Sequence, residues 1–344
     1  MMPGNAIDLR SDTKTQPSAG MRAAMAAAAV GDEQANEDPS VNALCERVAA
    51  LLGKKKGLLL PSGTMCNLIA VMVHCRHGDE ILAADISHLM SSESGGLGLS
   101  GALVRALPST RGIFTGEQVT RALRPPKQNA PKSRLVHVEQ TVNRGGGAIW
   151  SLSALGEVSQ AAKTAGLSVH MDGARLMNAV IASGISAKQH GAHCDSLWLD
   201  LSKGLGCPVG AVLVGDDDFM TAARAWKFRL GGAMRQAGVI AAAGLYALDN
   251  NIERLRIDHD NARLLADRLK AIPGIEVLEP ETNIVFFDVA GTGITAVDLR
   301  DKLVDDGIRI NPDSATSFRA VTHLDVDAAG IEAAAASIRQ IVQR

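Results

Sequence analysis

Three apolar runs of the sequence each end in side chains that could do chemistry. The run SLWLDL is followed by Ser202 and Lys203, LSVHMD ends in Asp172, and GLLL leads through Pro-Ser into Gly63 and Thr64. A lysine amine can form a Schiff base, a carboxylate can keep a ring nitrogen protonated, and a helix start with small residues offers free N–H groups to a phosphate. Taken singly, each also has a plain structural interpretation: a loop lysine, a helix N-cap or a tight turn.

Together, these groups meet the requirements of one cofactor, pyridoxal 5'-phosphate. Lys203 would supply the amine, Asp172 the partner of the pyridine nitrogen, and Gly63 with Thr64 the phosphate site, to which Ser202 adds a hydroxyl. A lysine at the end of a buried strand is costly as a permanent cation, and a covalent bond to the cofactor would remove that cost. The sequence contains no G-x-x-x-x-G-K-[ST] and no G-x-S-x-G motif that would favour a nucleotide or a hydrolase site.

The spacing of apolar runs predicts the elements that must position these residues. Short strand-like runs alternate with helices up to about residue 240, which is typical of a mainly parallel sheet covered by helices. Functional groups collect at the carboxyl ends of the strands in such sheets. A long helix over 244–272, shorter strands and a final helix predict a second, smaller α/β domain. We therefore expect a large cofactor-binding domain over residues 1–245, with the N-terminal segment, and a small C-terminal domain over 246–344.

Composition limits the classes of partner. The chain has 344 residues and a formal net charge of -2, which gives no electrostatic case for binding nucleic acid or an anionic membrane. No run of eighteen apolar residues occurs. The five cysteines form neither a CxxC motif nor a zinc-like Cys/His spacing, so we expect reduced thiols, no metal and a cytoplasmic protein.

Seven longer segments carry a specific resemblance. They are DLRSDTKTQP, EDPSVNALCERVAALLGK, PSGTMCNLIAV, HMDGARLMNAV, SKGLGCPVGAVLVG, GGAMRQAG and RAVTHLD. In this order they resemble the L-threonine aldolases of the low-specificity or L-allo-threonine type, over about residues 7 to 340. Those enzymes belong to the β-eliminating lyases among the fold-type I pyridoxal phosphate enzymes. The resemblance implies an α/β fold, with a mainly parallel seven-stranded sheet in the large domain and a smaller C-terminal α/β domain.

The resemblance also implies roles at the cofactor. Lys203 would be the catalytic Schiff-base lysine, Asp172 would pair with the pyridine nitrogen, and His88 would stack on the ring. Arg175 would lie near the phenolic oxygen, and Arg235 would reach the phosphate from a neighbouring subunit. The other phosphate ligands implied are Gly63, Thr64 and Ser202.

At the substrate, the resemblance implies that Ser11, Arg175 and Arg319 bind the carboxylate. Two departures from the family pattern alter this pocket. Where the family has E-N-T-H-N, this chain has Val142 instead of the histidine near the β-hydroxyl, and where the family has V-Y-G-E-D-P, Ala35 replaces the tyrosine. Valine can neither donate nor accept a proton, so we expect a roomier, less polar pocket that suits a bulkier β-substituent.

The activity implied is retro-aldol cleavage of an L-β-hydroxy-α-amino acid to glycine and an aldehyde, with His88 or a bound water as the base. Three alternatives stay open: a β-eliminating lyase with another leaving group, an aminotransferase, and a catalytically silent binding protein. The partner expected is a small amino acid substrate. A neighbour's Arg235 in the site requires a homodimer at least, and the resemblance suggests a tetramer.

Overall fold

Strands and helices alternate along most of the computed structural model, which describes residues 6–93, 95–125 and 127–343. Within those residues the strands are β1 (Ile7–Asp8), β2 (Lys56–Leu60), β3 (Glu80–Ala84), β4 (Leu103–Leu107), β5 (Ser133–Glu139), β6 (Ser168–Asp172), β7 (Ser196–Asp200), β8 (Ala211–Gly215), β9 (Glu276–Leu278), β10 (Ile284–Asp288), β11 (Ile308–Arg309), β12 (Asn311–Pro312) and β13 (Ser317–Val321). The α-helices are α1 (Ala19–Ala26), α2 (Pro39–Leu52), α3 (Gly63–His74), α4 (His88–Ser91), α5 (Gly116–Ala122), α6 (Leu152–Thr164), α7 (Leu176–Ser183), α8 (Ala187–Gly191), α9 (Asp217–Arg229), α10 (Gly238–Asn250), α11 (Leu255–Lys270), α12 (Ala296–Asp305) and α13 (Ala328–Val342).

A seven-stranded sheet forms the centre of the larger unit, in the order β2-β8-β7-β6-β5-β3-β4. Only β8 runs antiparallel to its neighbours, so the mainly parallel sheet expected from the sequence is confirmed. Strands β3, β7 and β8 are buried at every position, as strands covered by helices on both faces must be. The apolar runs EILAA, LVRAL and AVLVG coincide with β3, β4 and β8 residue for residue.

The helices that cover the sheet begin and end at residues suited to those positions. Helix α2 starts with Pro39 after the N-cap Asp38, and it ends at Gly53, whose φ of 68° is left-handed. Helix α3 is capped by Ser62, whose hydroxyl accepts from the N–H of Met65. Among the described residues, no helix is long and apolar enough to cross a membrane.

The smaller unit is built on a four-stranded antiparallel sheet in the order β12-β13-β10-β9. The single helix expected over 244–272 is wrong, because α10 and α11 are separated by turns at 251–254. Two asparagine side chains bind backbone carbonyls there: Asn250 donates to Tyr246 and Asn251 to Leu205. Such side-chain bonds compete with the helical pattern.

The two hydrophobic cores divide the chain differently from the expected domain boundary. The boundary between residues 245 and 246 falls inside α10, whose Ala241, Ala243 and Ala247 belong to the larger core together with Leu255. The smaller core begins at Ala262, within α11, and also contains Leu9. Leu9 lies there because the adjacent β1 pairs in parallel with β11. Residues 7–9, expected in the large domain, therefore pack on the small one, whereas Met21 of α1 belongs to the larger core.

Candidate active site

A cavity of about 540 Å³ lies between the carboxyl ends of the central strands and the smaller unit. Glu139, Asp172 and Asp200 face it as the last residues of β5, β6 and β7. The smaller unit contributes Arg319 of β13 and the segment 311–313. The residues expected at the site that line this cavity are Ser11, Gly63, Thr64, His88, Asp172, Arg175, Ser202, Lys203 and Arg319.

The amine of Lys203 points into the cavity beside a carboxylate that the sequence analysis missed. Its Nζ lies 2.9 Å from Oδ2 of Asp200, and Oδ1 of Asp200 accepts from the N–H and hydroxyl of Ser202 at 2.7 and 2.9 Å. Burial alone would lower the pKa of Lys203, but the negative charges of Asp200, Asp172 and Asp12 together raise that pKa. The cost expected for a buried lysine cation is therefore offset by an ion pair.

Asp172 is buried beside the amide of Asn67. Its Oδ2 accepts from Nδ2 of Asn67 at 2.8 Å, and its Oδ1 accepts from the N–H of Ala174 at 2.9 Å. The indole N–H of Trp198, which can only donate, lies 2.7 Å from the other end of the Asn67 amide. That contact identifies the oxygen of Asn67, so its NH₂ group must face Asp172.

The first turn of α3 forms an anion site at another edge of the cavity. The N–H groups of Gly63 and Thr64 have no acceptor among the hydrogen bonds of the described residues. Free N–H groups and the helix dipole both favour a negative charge there. A Cβ on Gly63 would lie 2.2 Å from the ring of Trp198, so only glycine fits.

Two arginines border the side of the cavity that faces the smaller unit. Arg175 is buried, and its Nε and Nη2 donate to the carboxylate of Asp12 at 2.8 and 2.6 Å. Nη1 of Arg319 donates to Oδ1 of Asn143 at 2.5 Å, and Nη1 of Arg175 reaches the same oxygen at 3.4 Å. Burial and the charge of Arg175 lower the pKa of Arg319. An anion next to Arg319 would relieve that repulsion. Ser11 lines the same cavity.

His88 begins the short helix α4 and contacts two carboxylates. Its Nδ1 lies 3.0 Å from Glu93, and its backbone N–H donates to Glu139 at 3.0 Å. The hydrogen bond to Glu93 raises the pKa of His88. Burial and the charge of Asp172 raise the pKa of Glu139 to about 7.

Three expected site residues lie outside the cavity lining. Val142 is 1% exposed and packs in the larger core, because its backbone pairs with Ala148 and turns the side chain inward. Ala35 is exposed and ends the 3₁₀ turn at 33–35. The side chain of Arg235 is 63% exposed and is paired with Asp32 at 2.9 Å. Neither Val142 nor Ala35 therefore shapes the cavity of this chain directly, and Arg235 is presented on the surface.

The residues missed by sequence reasoning are of two kinds. Glu139 and Asp200 end strands just as Asp172 does, so the strand-end rule that identified Asp172 could have identified them. Asn67 and Asp12 leave no local signal, because their partners are far away in sequence. The remaining lining residues that were missed are Thr13, Ser92, Glu93, Asn143, Arg144, Ala174, Trp198, Asn311, Pro312 and Asp313.

His88, Glu93 and Asp172 also have metal-ligand atoms within 4.8 Å of one another. The NH₂ group of Asn67 donates to both carboxylates, at 2.6 Å to Glu93 and 2.8 Å to Asp172. Hydrogen bonds within the protein thus account for this close approach.

The donor set of the cavity fits pyridoxal 5'-phosphate. An amine, a buried carboxylate and an unpaired helix start face one space, and the amide of Asn67 fixes the orientation of the carboxylate. Lys203 would hold the aldehyde carbon, Asp172 the ring nitrogen, and Gly63 with Thr64 the phosphate.

Comparison with known proteins gives one consistent result. The model of the family described as beta-eliminating lyase matches residues 8–292. A low specificity L-threonine aldolase of Escherichia coli K12 is 38% identical over 98% of this chain and 100% of its own length. The low-specificity L-threonine aldolase 1 of Arabidopsis thaliana is 40% identical over 92% of this chain and 91% of its own length. Among solved structures, a threonine aldolase of Leishmania major has a TM-score of 0.85 at 18% identity, covering 98% of this chain and 99% of its own.

Proposed function

The chain belongs to the family of beta-eliminating lyases, and from this premise we propose that it is a carbon–carbon lyase that uses pyridoxal 5'-phosphate. Its reaction is cleavage of L-β-hydroxy-α-amino acids to glycine and an aldehyde. L-threonine and L-allo-threonine are substrates, as are analogues with a bulkier β-substituent. The observation that carries the proposal is the convergence of Lys203, Asp172 and the α3 N-terminus on one cavity.

The cofactor supplies an electron sink for the pair released from the Cα–Cβ bond. Asp172, fixed by Asn67, holds the ring nitrogen protonated. The N–H groups of Gly63 and Thr64 bind the phosphate, and Lys203 holds the cofactor in place. In the described structure the hydroxyl of Ser202 donates to Asp200, so it adds to the phosphate site only after rotating.

The substrate carboxylate binds between Ser11 and Arg319. A guanidinium matches a carboxylate in shape and charge, and Arg319 is the less engaged of the two arginines. Arg175 already binds Asp12 through two nitrogens, so its part is to orient Asn143 and the wall of the cavity. His88 is the imidazole among the described lining residues, and it takes the β-hydroxyl proton.

A second copy of the chain completes the site. The arginines among the described lining residues are Arg144, Arg175 and Arg319, and two of them surround Asn143 rather than the α3 N-terminus. Arg235 is exposed, and exchange of its ion pair with Asp32 would let it reach the phosphate of a neighbouring subunit. We expect a dimer at least, assembled further into a tetramer.

Mixing two variant chains tests whether each active site is shared between subunits. Lys203→Ala chains and Arg235→Ala chains are each impaired alone, but a mixed dimer contains one site with both residues intact. Random mixing should restore about one quarter of the native activity. No recovery in mixtures shown by mass spectrometry to contain heterodimers would contradict the shared site.

We place the protein in the cytoplasm. All five cysteines are unpaired, four of them buried, which suits a reducing compartment. Fractionation of cells that produce the native chain tests this, and recovery with secreted or membrane material would contradict it.

The activity is tested by product analysis of purified protein loaded with cofactor. L-threonine, L-allo-threonine and the two L-phenylserine diastereomers should each give glycine and an equal amount of the matching aldehyde. Pyruvate with ammonia would instead indicate β-elimination, and amino transfer to a 2-oxo acid would indicate an aminotransferase. Lys203→Ala should abolish turnover, whereas Lys163→Ala, at an exposed position of α6, should leave it unchanged. No glycine from any substrate, with cofactor bound, would overturn the proposal.

A further inference from the structure

His88 is held at two points by carboxylates from different elements. Glu139, the last residue of β5, accepts from its backbone N–H at 3.0 Å, and Glu93 contacts ring Nδ1 at 3.0 Å. The side chain of Glu93 is 3% exposed and that of His88 is 30% exposed. A buried carboxylate that clamps a partly exposed ring restricts both the position and the rotation of that ring.

The surroundings of Glu93 determine which ring nitrogen carries the hydrogen. Trp198 identifies the oxygen end of the Asn67 amide, so the NH₂ end donates to Oε1 of Glu93 at 2.6 Å. The same Oε1 faces Nδ1 of His88. An ionised carboxylate only accepts hydrogen bonds, so Nδ1 must donate. In the neutral ring, the lone pair then resides on Nε2.

Nε2 is the free end of this chain of contacts. The hydrogen bonds of the described residues give it no protein partner, and the ring lines the cavity. Position 142 carries a buried valine, so no second imidazole among the described lining residues competes for a proton. A lone pair held on the cavity side of a fixed ring is what a general base requires.

The charged groups around the ring strengthen it as a base. Glu93 follows α4, Asp172 ends β6 and Glu139 ends β5, and all three carboxylates favour the imidazolium form of His88. His137 of β5 is the basic group on this side, and burial lowers its pKa, so it remains neutral. Glu93 acts most strongly, because it alone bonds the ring directly.

We propose that Glu93 is a positioning residue that fixes His88 with the hydrogen on Nδ1 and the lone pair on Nε2, so that Nε2 accepts the β-hydroxyl proton of the substrate. The inference rests on the proposed function. The proton moves from the β-oxygen to Nε2, and the O–H electron pair forms the carbonyl of the aldehyde. The Cα–Cβ bond breaks and its electron pair remains with Cα. A proton from water at Cα gives glycine, and Nε2 returns its proton to water.

The test is Glu93→Gln, which preserves the shape of the side chain and removes its charge. The acid limb of the kcat/KM pH profile should move to lower pH by about one unit, and the plateau should fall about 10-fold. Glu93→Ala also frees the His88 ring to rotate, so its kcat/KM plateau should be lower than that of Glu93→Gln. If both variants fold and the acid limb of their kcat/KM profiles stays at the native pH, the inference is overturned.

A second measurement does not depend on turnover. Histidine labelled with ¹⁵N reports the tautomer and pKa of each ring, and His88→Asn identifies the His88 signals. We expect an Nδ1–H tautomer in the native protein, with and without cofactor, and a lower pKa in Glu93→Gln. An Nε2–H tautomer or an unchanged titration would overturn the inference. Absence of glycine from native enzyme would instead contradict the proposed function, so the two failures are distinguishable.

Glu80→Gln is the matched control. Glu80 is also a buried carboxylate, but it starts β3 and binds Arg124 and Ser133 outside the cavity. Its loss should lower Tm and leave the acid limb and the His88 titration unchanged. If Glu80→Gln moved the limb as far as Glu93→Gln does, the effect would be general destabilisation and the inference would fail.

Discussion

Asp12 and Arg175 form a buried ion pair, with Nε and Nη2 of the guanidinium 2.8 and 2.6 Å from the two carboxylate oxygens. Side-chain exposure is 0% for Asp12 and 4% for Arg175. The pair joins the segment after β1, the strand that pairs with β11 of the smaller unit, to the start of α7 in the larger one. It thereby fixes the position of Arg175 in the wall of the cavity.

Loss of Asp12 should be costly and pH-dependent. Burial alone would raise the pKa of Asp12, but the charge and hydrogen bonds of Arg175 lower it to about 2, below its ordinary value of 3.8. The stabilisation is therefore fully present above pH 3.8 and is lost as the pH falls through about 2. Asp12→Asn should lower the free energy of unfolding by about 3–5 kcal/mol at pH 7, because it leaves the Arg175 charge buried and unpaired.

Urea unfolding measured from pH 7 downward tests this prediction. The difference between native and Asp12→Asn protein should shrink once the pH falls below about 4. Asp260→Asn, in an exposed pair with Arg263, is the control and should cost less than about 1 kcal/mol. Equal costs for the two variants would contradict the prediction.

Glu139 should give the opposite pH dependence. Burial and the charge of Asp172 raise its pKa from 4.5 to about 7, so the folded protein binds the extra proton between these values. Its contribution to stability is therefore full below about pH 4.5 and is lost as the pH rises through 7. Native protein should lose up to about 3 kcal/mol relative to Glu139→Gln between pH 4.5 and 8, measured by urea unfolding without cofactor. Parallel stability curves would show that Glu139 ionises normally.

The sheet could be predicted from the sequence because its strands are nearly continuous apolar runs, and β3 and β8 are buried at all five positions. The rule that functional groups lie at or just after the carboxyl ends of parallel strands then identified Asp172 and Lys203. The contacts that orient them could not be predicted. Trp198 and Asn67 are 131 residues apart, and Arg175 and Asp12 are 163 apart. The spacing of apolar and polar residues along the chain gives no information about contacts between residues so far apart.

Val142 shows that a site position taken from a family's sequence motif need not face the site in this chain. The resemblance placed this position at the β-hydroxyl, but the backbone pairing with Ala148 directs the valine into the core. Its Cγ1 is in fact 2.3 Å from where a Cβ on Gly112 would be, so the side chain fills space that the glycine leaves. A site residue inferred from sequence still requires the side chain to face the cavity.

Val142→Ala should therefore act on stability rather than on specificity. Removal of two buried methyl groups should cost about 1–3 kcal/mol of the free energy of unfolding. The ratio of kcat/KM for L-threonine to that for L-phenylserine should stay unchanged. Asn143→Ala is the contrasting variant, because Asn143 lines the cavity and accepts from Arg319, so its loss should raise KM. A changed substrate ratio in Val142→Ala would place position 142 in the pocket after all.

A second buried pair supports the surface loop that carries Arg235. Lys227 donates to Glu33 at 2.5 Å, with side-chain exposures of 1% and 4%. The other oxygen of Glu33 accepts from the N–H of Met234 at 3.2 Å, and the N–H of Glu33 donates to the carbonyl of Arg235 at 3.0 Å. The pair thus ties α9 and the turn at 33–35 to the backbone on both sides of Arg235.

Breaking this pair should weaken both folding and cofactor binding. Lys227→Met should lower the free energy of unfolding by about 3–5 kcal/mol, because it leaves Glu33 buried without a counter-charge. Cofactor affinity should fall as well, since the loop no longer holds Arg235 in place for the neighbouring subunit.

The double variant Glu33→Leu/Lys227→Met removes both charges and should recover most of the stability. It should not recover the affinity, because the bonds to Met234 and the geometry at Arg235 are not restored. A double-mutant cycle of urea unfolding, paired with cofactor titration, measures both quantities. Additive stability losses, or native affinity in Lys227→Met, would contradict the prediction.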